Sequence, residues 1–300
     1  MRAALIINPT AGRNRGIIAA DRAEHELVPA GWQMTRMLTQ SPRDAARLAR
    51  QSAELGFDVV LACGGDGTLS QVLAGLLDTG VPAGIVPAGT GNDFARTIGL
   101  SINPRLAAQQ LVRGRIADID LLRINDGQLW CVNVMGVGFD AQVTFRMSMN
   151  GHRRVTGGFL AYLSGAMREL VVYRPTAMRL RVDDQEWEGE AFLLAVANAR
   201  SYGAGMKIAP QAEVDDGLLD VVLVKPVGRI EFLRSFPRVM RGTHITHPAV
   251  RTWKGKEVSI ETPQPSHVLV DGDVQCQTPV HVRVSHHRAK LLMPGPLVSP

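Results

Sequence analysis

Cysteine is scarce in this chain. Cys63, Cys131 and Cys276 are odd in number and far apart, with no C-x-x-C pair. That argues against zinc and against a disulfide framework, and suits a reducing compartment. No run approaches the ~18 apolar residues that a membrane-spanning helix needs. The apolar start ends at Asn8-Pro9, well short of a secretory h-region. The expectation is a cytoplasmic protein, peripheral at most to the inner face of a membrane. The charge balance is mild, +5 over 300 residues. The basic residues are mostly Arg and mixed with acids, so no nucleic-acid partner is expected. No histidine shows ligand spacing with nearby acids, and His244 and His247 read as solvated loop residues. There is no internal repeat, and low complexity is confined to Pro294 to Pro300. The lysine-containing phosphate loop G-x-x-x-x-G-K-[ST] is absent. So is a full G-x-G-x-x-G, because Gly89-Thr90-Gly91 and Gly136-Val137-Gly138 supply only its first half.

What is present is a hydrophobic content of 45%, enough for a sizeable core, with two domains as the prior from length. The chain is organised around Leu61-Ala62-Cys63-Gly64-Gly65-Asp66-Gly67-Thr68-Leu69. A strand, Asp58 to Cys63, runs through three glycines into Leu69, Val72, Leu73, Leu76 and Leu77, which share one helix face. Glycines let backbone N–H groups approach an anion, and a helix N-terminus adds donors and partial positive charge. An acid inside such a loop would repel bare phosphate, so Asp66 points to Mg²⁺, which takes carboxylate and phosphate oxygens together. The alternative is a tight βα turn whose aspartate serves the backbone.

Ala3 to Ile7 reads as a buried strand of a parallel sheet, followed by the loop Asn8-Pro9-Thr10-Ala11-Gly12 and a helix to about Val28. Gln33 to Leu38 is a second strand. Ser41 and Pro42 would open the next helix, with Ala45, Leu48, Ala49 and Ala53 facing inward. Ala83 to Val86 is the fourth strand, ending in Pro87-Ala88-Gly89-Thr90-Gly91-Asn92-Asp93. Strand–helix alternation predicts a doubly wound α/β domain with right-handed crossovers. Ligands of such sheets sit beyond the strands' carboxyl ends, where the loops beginning at Asn8, Gly64 and Pro87 converge.

From about Ile116 the pattern changes. The runs at Leu129–Val134, Met178–Val182, Phe192–Ala197, Leu218–Val224 and Val268–Val270 read as strands, with turns at Asn125-Asp126-Gly127 and Asp183-Asp184. They predict a mostly antiparallel sandwich or barrel, interrupted by helices near Phe159–Val172 and Arg229–Met240. The junction is expected near Arg123–Gly127. This gives domains 1–124 and 125–300, with the last residues returning to the first.

The motifs together carry a family resemblance. Asn8-Pro9-x-Ala11-Gly12, Gly64-Gly65-Asp66-Gly67-Thr68, Gly89-Thr90-Gly91-Asn92-Asp93-Phe94-Ala95-Arg96, Gly136-Val137-Gly138-Phe139-Asp140, Asp215-Asp216-Gly217-Leu218-Leu219-Asp220 and Val270-Asp271-Gly272-Asp273 occur in family order. As an ordered set they resemble the diacylglycerol kinase catalytic-domain family, in particular its soluble bacterial lipid kinases, relatives of sphingosine and ceramide kinases. The resemblance implies an ATP-dependent lipid kinase with an α/β nucleotide domain, a β-sandwich and an active site in the cleft between them. It implies nucleotide contacts from Asn8, Pro9, Thr10, Ala11, Gly12, Thr39, Gly64, Gly65, Asp66, Gly67, Thr68, Leu69, Ser70 and Thr90. Asp66 would hold the catalytic Mg²⁺, with Asp93 supporting it. A structural metal would take the Asp216 carboxylate and the backbone carbonyls of Glu213 and Leu218. The general base in relatives is the Glu of an Asp-Gly-Glu triplet. This chain has Asp271-Gly272-Asp273, so the implied base is Asp273, one methylene shorter.

Phosphoryl transfer needs positioning, charge neutralisation and a carboxylate beside the accepting hydroxyl. On the residues alone, Asp271-Gly272-Asp273 and Asp215-Asp216-Gly217 are also ordinary turn chemistry. Gly228 to Lys256 carries seven basic residues against Glu231, interleaved with Ile230, Phe232, Leu233, Phe236, Val239 and Met240. Either this segment rests on anionic headgroups, or its apolar face packs on the sandwich. The resemblance favours diacylglycerol as acceptor, giving phosphatidic acid, with sphingoid bases, ceramides and other glycerolipids open. An NAD kinase-like enzyme and a non-catalytic nucleotide-binding regulator are the alternatives. Oligomeric state is open, a homodimer being one option.

Overall fold

The computed structural model describes residues 1–41, 43–149 and 158–297, with only the backbone of 158–164. The chain divides into two compact units, 1–121 with 286–300, and 122–285.

The first unit runs β1 (Arg2–Ile7), α1 (Ala11–Asn14), α2 (Gly16–Leu27), β2 (Gln33–Leu38), α3 (Asp44–Glu54), β3 (Val59–Gly64), α4 (Asp66–Leu76), β4 (Ala83–Pro87), α5 (Asp93–Thr97), α6 (Pro104–Val112) and β5 (Arg115–Ile119). The second runs β6 (Leu122–Ile124), β7 (Leu129–Cys131), β8 (Val134–Gly138), α7 (Phe139–Met149), α8 (Gly158–Val172), β9 (Thr176–Val182), β10 (Gln185–Ala191), β11 (Leu193–Ala197), β12 (Leu219–Val224), α9 (Arg229–Arg241), β13 (Val250–Gly255), β14 (Glu257–Glu261), β15 (His267–Val270), β16 (Asp273–Gln277) and β17 (Val280–Val284). The chain ends with β18 (Ala289–Met293) in the first unit's sheet.

The first sheet has the order β2-β1-β3-β4-β18-β5. β2, β1, β3, β4 and β18 run parallel, and β5 pairs antiparallel with β18 at the edge. The inner strands are buried on both faces, so Ala3 to Ile7 and Val59 to Gly64 are continuously enclosed. From β1 the chain steps one way to β2, then back past β1 to β3 and on to β4. Right-handed crossovers therefore put α2 on one face and α3 and α4 on the other. The strand order reverses between β1 and β3, which makes their carboxyl ends the binding point of such a sheet.

The start of α3 differs from expectation. Its first helical residue is Asp44, preceded by Arg43 in the left-handed region at φ 70°. The Asp44 carboxylate accepts the Gln40 amide at 3.0 Å, which fixes the entry three residues later than Ser41. Pro42 lies outside the described residues. Ser52 is buried rather than Ala53, because its hydroxyl donates to the Leu48 carbonyl at 2.7 Å and needs no water.

The second unit is a sandwich rather than a barrel, with two six-stranded sheets, β10-β9-β14-β17-β6-β7 and β13-β12-β11-β8-β15-β16. All described pairings in both are antiparallel. Leu122, Met178, Leu180 and Val258 from one sheet meet Met135, Val137, Leu194 and Val221 from the other in the shared core. The outer face of the first of these sheets is wet, so β9 alternates buried with partly or fully exposed residues. The second sheet carries helices on its outer face, so β8 and β11 are buried throughout.

Candidate active site

In the first unit the predicted loops are tied together by backbone. The Asn8 amide donates to the Cys63 carbonyl at 3.0 Å, and the Gly64 carbonyl accepts the Ala88 and Gly89 amides at 2.8 and 3.1 Å. The Thr39 amide holds the end of β2 to the Ile7 carbonyl at 2.9 Å. Asn8 Oδ1 accepts both the amide and hydroxyl of Thr10, closing that turn, while its Nδ2 reaches Thr68 Oγ1 at 3.4 Å. Two glycines are required by contact. A Cβ on Gly12, at φ +50°, would lie 2.0 Å from the Ala88 carbonyl oxygen, and one on Gly89 would lie 2.6 Å from Gly65 Cα. Loops this close leave backbone donors, not side chains, to meet a ligand.

Asp66 stands in the first turn of α4, and its two carboxylate oxygens accept the amides of Asp93 and Phe94 at 3.1 and 3.2 Å. The carboxylate is thus held at the starts of two helices. Asn92, at φ 51°, exchanges two hydrogen bonds with Gly89 and so shapes the loop that presents Asp93 and Phe94. Asp93 is buried and Thr90 exposed. Leu69 is 0% exposed, a core residue that offers its side chain to no ligand, while Thr68 and Ser70 are also buried.

Does this arrangement suit Mg²⁺? Among the described residues no group of three or more His, Cys, Asp or Glu side chains could cage a metal. Mg²⁺ in phosphoryl-transfer sites usually takes one or two carboxylates, with phosphate oxygens and water completing its shell. Asp66 beside Asp93 meets that pattern.

In the second unit the two aspartates of one turn have different surroundings. Asp271 and Gly272 have φ 47° and 94°, both positive as a two-residue type I′ hairpin requires, and join β15 to β16. The Asp271 carboxylate accepts the amides of Val132, Asn133 and Val134 at 3.1, 3.0 and 3.3 Å. It also accepts the Cys131 thiol, which burial and the neighbouring carboxylate keep protonated. Asp271 therefore ties the hairpin to the β7–β8 connection. Asp273 is the first residue of β16, the sheet's edge strand, and is exposed.

The motif Gly136 to Asp140 is the turn from β8 into α7. A Cβ on Gly136 would lie 2.2 Å from an Asp140 carboxylate oxygen, so the glycine makes room for that acid. Asp140 is 1% exposed, and burial pushes its carboxyl up to about 6, the Ala141 amide and Tyr202 hydroxyl pulling the other way. It lines a cavity of about 310 Å³ whose other walls are almost wholly apolar, with Phe139, Phe192, Phe232, Phe236, Met206 and Ile208 among them. Phe139, Phe192 and Phe232 form one aromatic cluster, with centroids 4.8–5.3 Å apart. His244 also lines it. The expectation of a solvated loop residue is corrected here: His244 is buried, and its Nε2 lies 3.0 Å from the Ile208 carbonyl. Burial lowers its pKa and so favours the neutral ring, in which Nε2 is the donor to that carbonyl, and Nδ1 has no partner among the described residues. His247 is half-buried, its Nε2 3.3 Å from Glu231. Neither Asp140 nor His244 has a role in the sequence reading. An acid directly after an apolar strand was a signal for Asp140, but nothing local marks a histidine brought to a cavity wall.

At the expected structural-metal turn, Asp216 Oδ1 accepts the Leu218 amide at 3.0 Å, and Oδ2 lies 3.0 Å from the Lys254 ammonium. Lys254 also reaches Asp220 at 3.5 Å, while Glu213 is exposed.

Glycine loops around a fixed carboxylate in the first unit, and an apolar cavity in the second, are features a phosphotransferase for an apolar acceptor requires. Known proteins agree. Residues 2–124 match the diacylglycerol kinase catalytic domain, and residues 133–293 the YegS C-terminal NAD kinase beta sandwich-like domain. A diacylglycerol kinase of Mycobacterium tuberculosis is 35% identical over 294 residues, 96% of this chain and 94% of that protein. One of Bacillus subtilis is 31% identical, over 91% of this chain and 89% of that one. A diacylglycerol kinase structure from Bacillus anthracis superposes with a TM-score of 0.78 at 25% identity, covering 97% of this chain and 96% of the other. The chain belongs to the diacylglycerol kinase catalytic-domain family and is a lipid kinase.

Proposed function

We propose that this chain transfers the γ-phosphoryl group of ATP to the free hydroxyl of diacylglycerol, giving phosphatidic acid. The observation that carries the choice of acceptor is the cavity of the second unit, which is within the size range of small-molecule sites. Its apolar walls favour acyl chains. The ribose and phosphate groups of NAD would be left there without hydrogen-bond partners, which counts against the NAD kinase-like alternative.

The nucleotide phosphates are assigned to the glycine loops of the first unit, where amides of Gly65 and Gly67 at the start of α4 are the donors. Mg²⁺, when bound with ATP, neutralises phosphate charge, and Asp66 is the residue that would hold it, with Asp93 supporting the loop. Asp273 takes the acceptor hydroxyl's proton, while Asp271 holds the hairpin that carries it. Three backbone amides and a thiol on Asp271 support that division of labour, since they leave it poorly placed to receive a proton.

The test is transfer of labelled γ-phosphate from ATP, with diacylglycerol in mixed micelles and NAD offered separately, and the product identified by mass. Phosphatidic acid with no NADP is the expected result. NADP formation, or nucleotide binding with no transfer to any lipid, overturns the reading in favour of one alternative or the other.

A further inference from the structure

The family resemblance places a structural metal at the Asp216 turn, and the residues present fit it poorly. Lys254 of β13 stands directly opposite Asp220 of β12 in the antiparallel register. That pairing carries its ammonium to Asp220 at 3.5 Å and to Asp216 at 3.0 Å. An ion bonded to Asp216 Oδ2 would share that oxygen with the ammonium, bringing a divalent and a monovalent cation within about 5 Å of each other. Asp216 Oδ1 is already engaged by the Leu218 amide. Asp216 and Asp220 thus place two carboxylates on one ammonium. A cation is needed at this turn, and one is tethered there already.

We propose that Lys254 is the built-in cation of the Asp216–Asp220 site and takes the place of a structural metal in this chain. Its ammonium bridges the two carboxylates, offsets part of their charge, and pins the loop before β12 to β13. The turn therefore keeps its shape without a divalent ion. This inference goes beyond the lipid-kinase reading and does not depend on it, because neither nucleotide nor lipid takes part.

Thermal unfolding of the nucleotide-free full chain, in EDTA and in millimolar Mg²⁺ or Ca²⁺, tests it. The wild-type midpoint should be the same in all three. Lys254→Met should unfold roughly 2–4 °C lower in EDTA and recover part of that loss with either ion, since removing the ammonium opens the carboxylates to a metal. Lys254→Arg keeps the charge and should stay insensitive. Adding Asp216→Asn to Lys254→Met should abolish the recovery. A wild-type response that disappears in Asp66→Asn belongs to the other unit and leaves the proposal standing. A wild-type response that persists in Asp66→Asn and disappears in Asp216→Asn overturns it. So does a Lys254→Met protein with the wild-type midpoint and no metal response.

Discussion

Asp271 Oδ1 accepts the Cys131 thiol at 3.1 Å, joining β7 to a hairpin turn 140 residues further along the chain, while Asp273 stands exposed on the edge strand that follows. The two acids of one hairpin should therefore fail differently. Asp273→Asn keeps the volume but cannot take a proton, and turnover should fall roughly 100- to 10,000-fold with nucleotide affinity almost unchanged. Asp273→Glu, the length found in relatives, should retain substantial activity. Asp271→Asn sets an amide donor among donors and should cost about 1–3 kcal/mol of stability, leaving turnover per folded molecule largely intact. Unfolding midpoints beside steady-state rates separate the two. A stable but inactive Asp271→Asn, alongside an active Asp273→Asn, would move the proton-accepting role to Asp271.

Asp66 has two duties, as an acceptor for the Asp93 and Phe94 amides and as the proposed Mg²⁺ ligand. Asp66→Asn keeps one acceptor oxygen and loses the charge. We expect turnover to vanish, and Mg²⁺–ATP binding, measured by calorimetry, to weaken more than binding of ATP in EDTA. Equal weakening in both would assign Asp66 to the loop alone.

The first unit was legible because its signals are local. Buried parallel strands read as apolar runs, and glycines punctuate them, so β1 to β4 were readable to within a residue or so. β18 was harder: Ala289–Met293 is an ordinary short run, and only long-range pairing with β4 and β5 makes it part of the first sheet. In the second unit the strands β10, β14, β16 and β17 carry polar residues on a wet or edge face, so their hydrophobic pattern is weak. At the candidate site, Asp66 was legible from its glycines. The contrast between Asp271 and Asp273 was not, because it depends on three amides supplied from Val132 to Val134. His244 and Lys254 take their roles from contacts that no spacing encodes.

Burial of Asp140 makes stability depend on pH. Its carboxyl rises from an ordinary 3.8 to about 6 in the folded chain. Below about pH 4 it is protonated both folded and unfolded, and contributes no difference. Between about pH 4 and 6 the unfolded chain ionises first, so folding becomes progressively less favourable. Above the folded value the penalty levels off at roughly 3 kcal/mol. Asp140→Asn keeps an acceptor for the Ala141 amide without the charge. Its stability relative to wild type should rise from pH 4 to pH 6 and then stay flat. Denaturant titrations at pH 4.5, 5.5 and 7 read this out, and a relative stability that falls with pH would show that the buried charge is compensated.

α9 faces both the sandwich and solvent. Phe232 packs against Phe139 and Phe192 with centroids 5.3 and 4.9 Å away, so the helix is anchored on the sandwich. Yet none of its residues is fully buried, and Ile230 and Leu233 are 67% and 41% exposed. Arg229 is engaged with the Leu170 and Val171 carbonyls at the end of α8, whereas Arg234, Arg238 and Arg241 are exposed. We propose that these three arginines, with Ile230 and Leu233, rest on an anionic bilayer. Each basic residue near such a surface contributes about 1 kcal/mol, an attraction screened over about 8–10 Å at physiological salt. Replacing all three by Gln should weaken binding to phosphatidylserine-containing vesicles by roughly 100-fold at moderate salt. Activity on those vesicles should fall with it, while activity on detergent-dispersed substrate changes little. Wild-type activity on vesicles should drop steeply with added salt and on micelles only slightly. Equal losses in both assays would return α9 to a packing role alone.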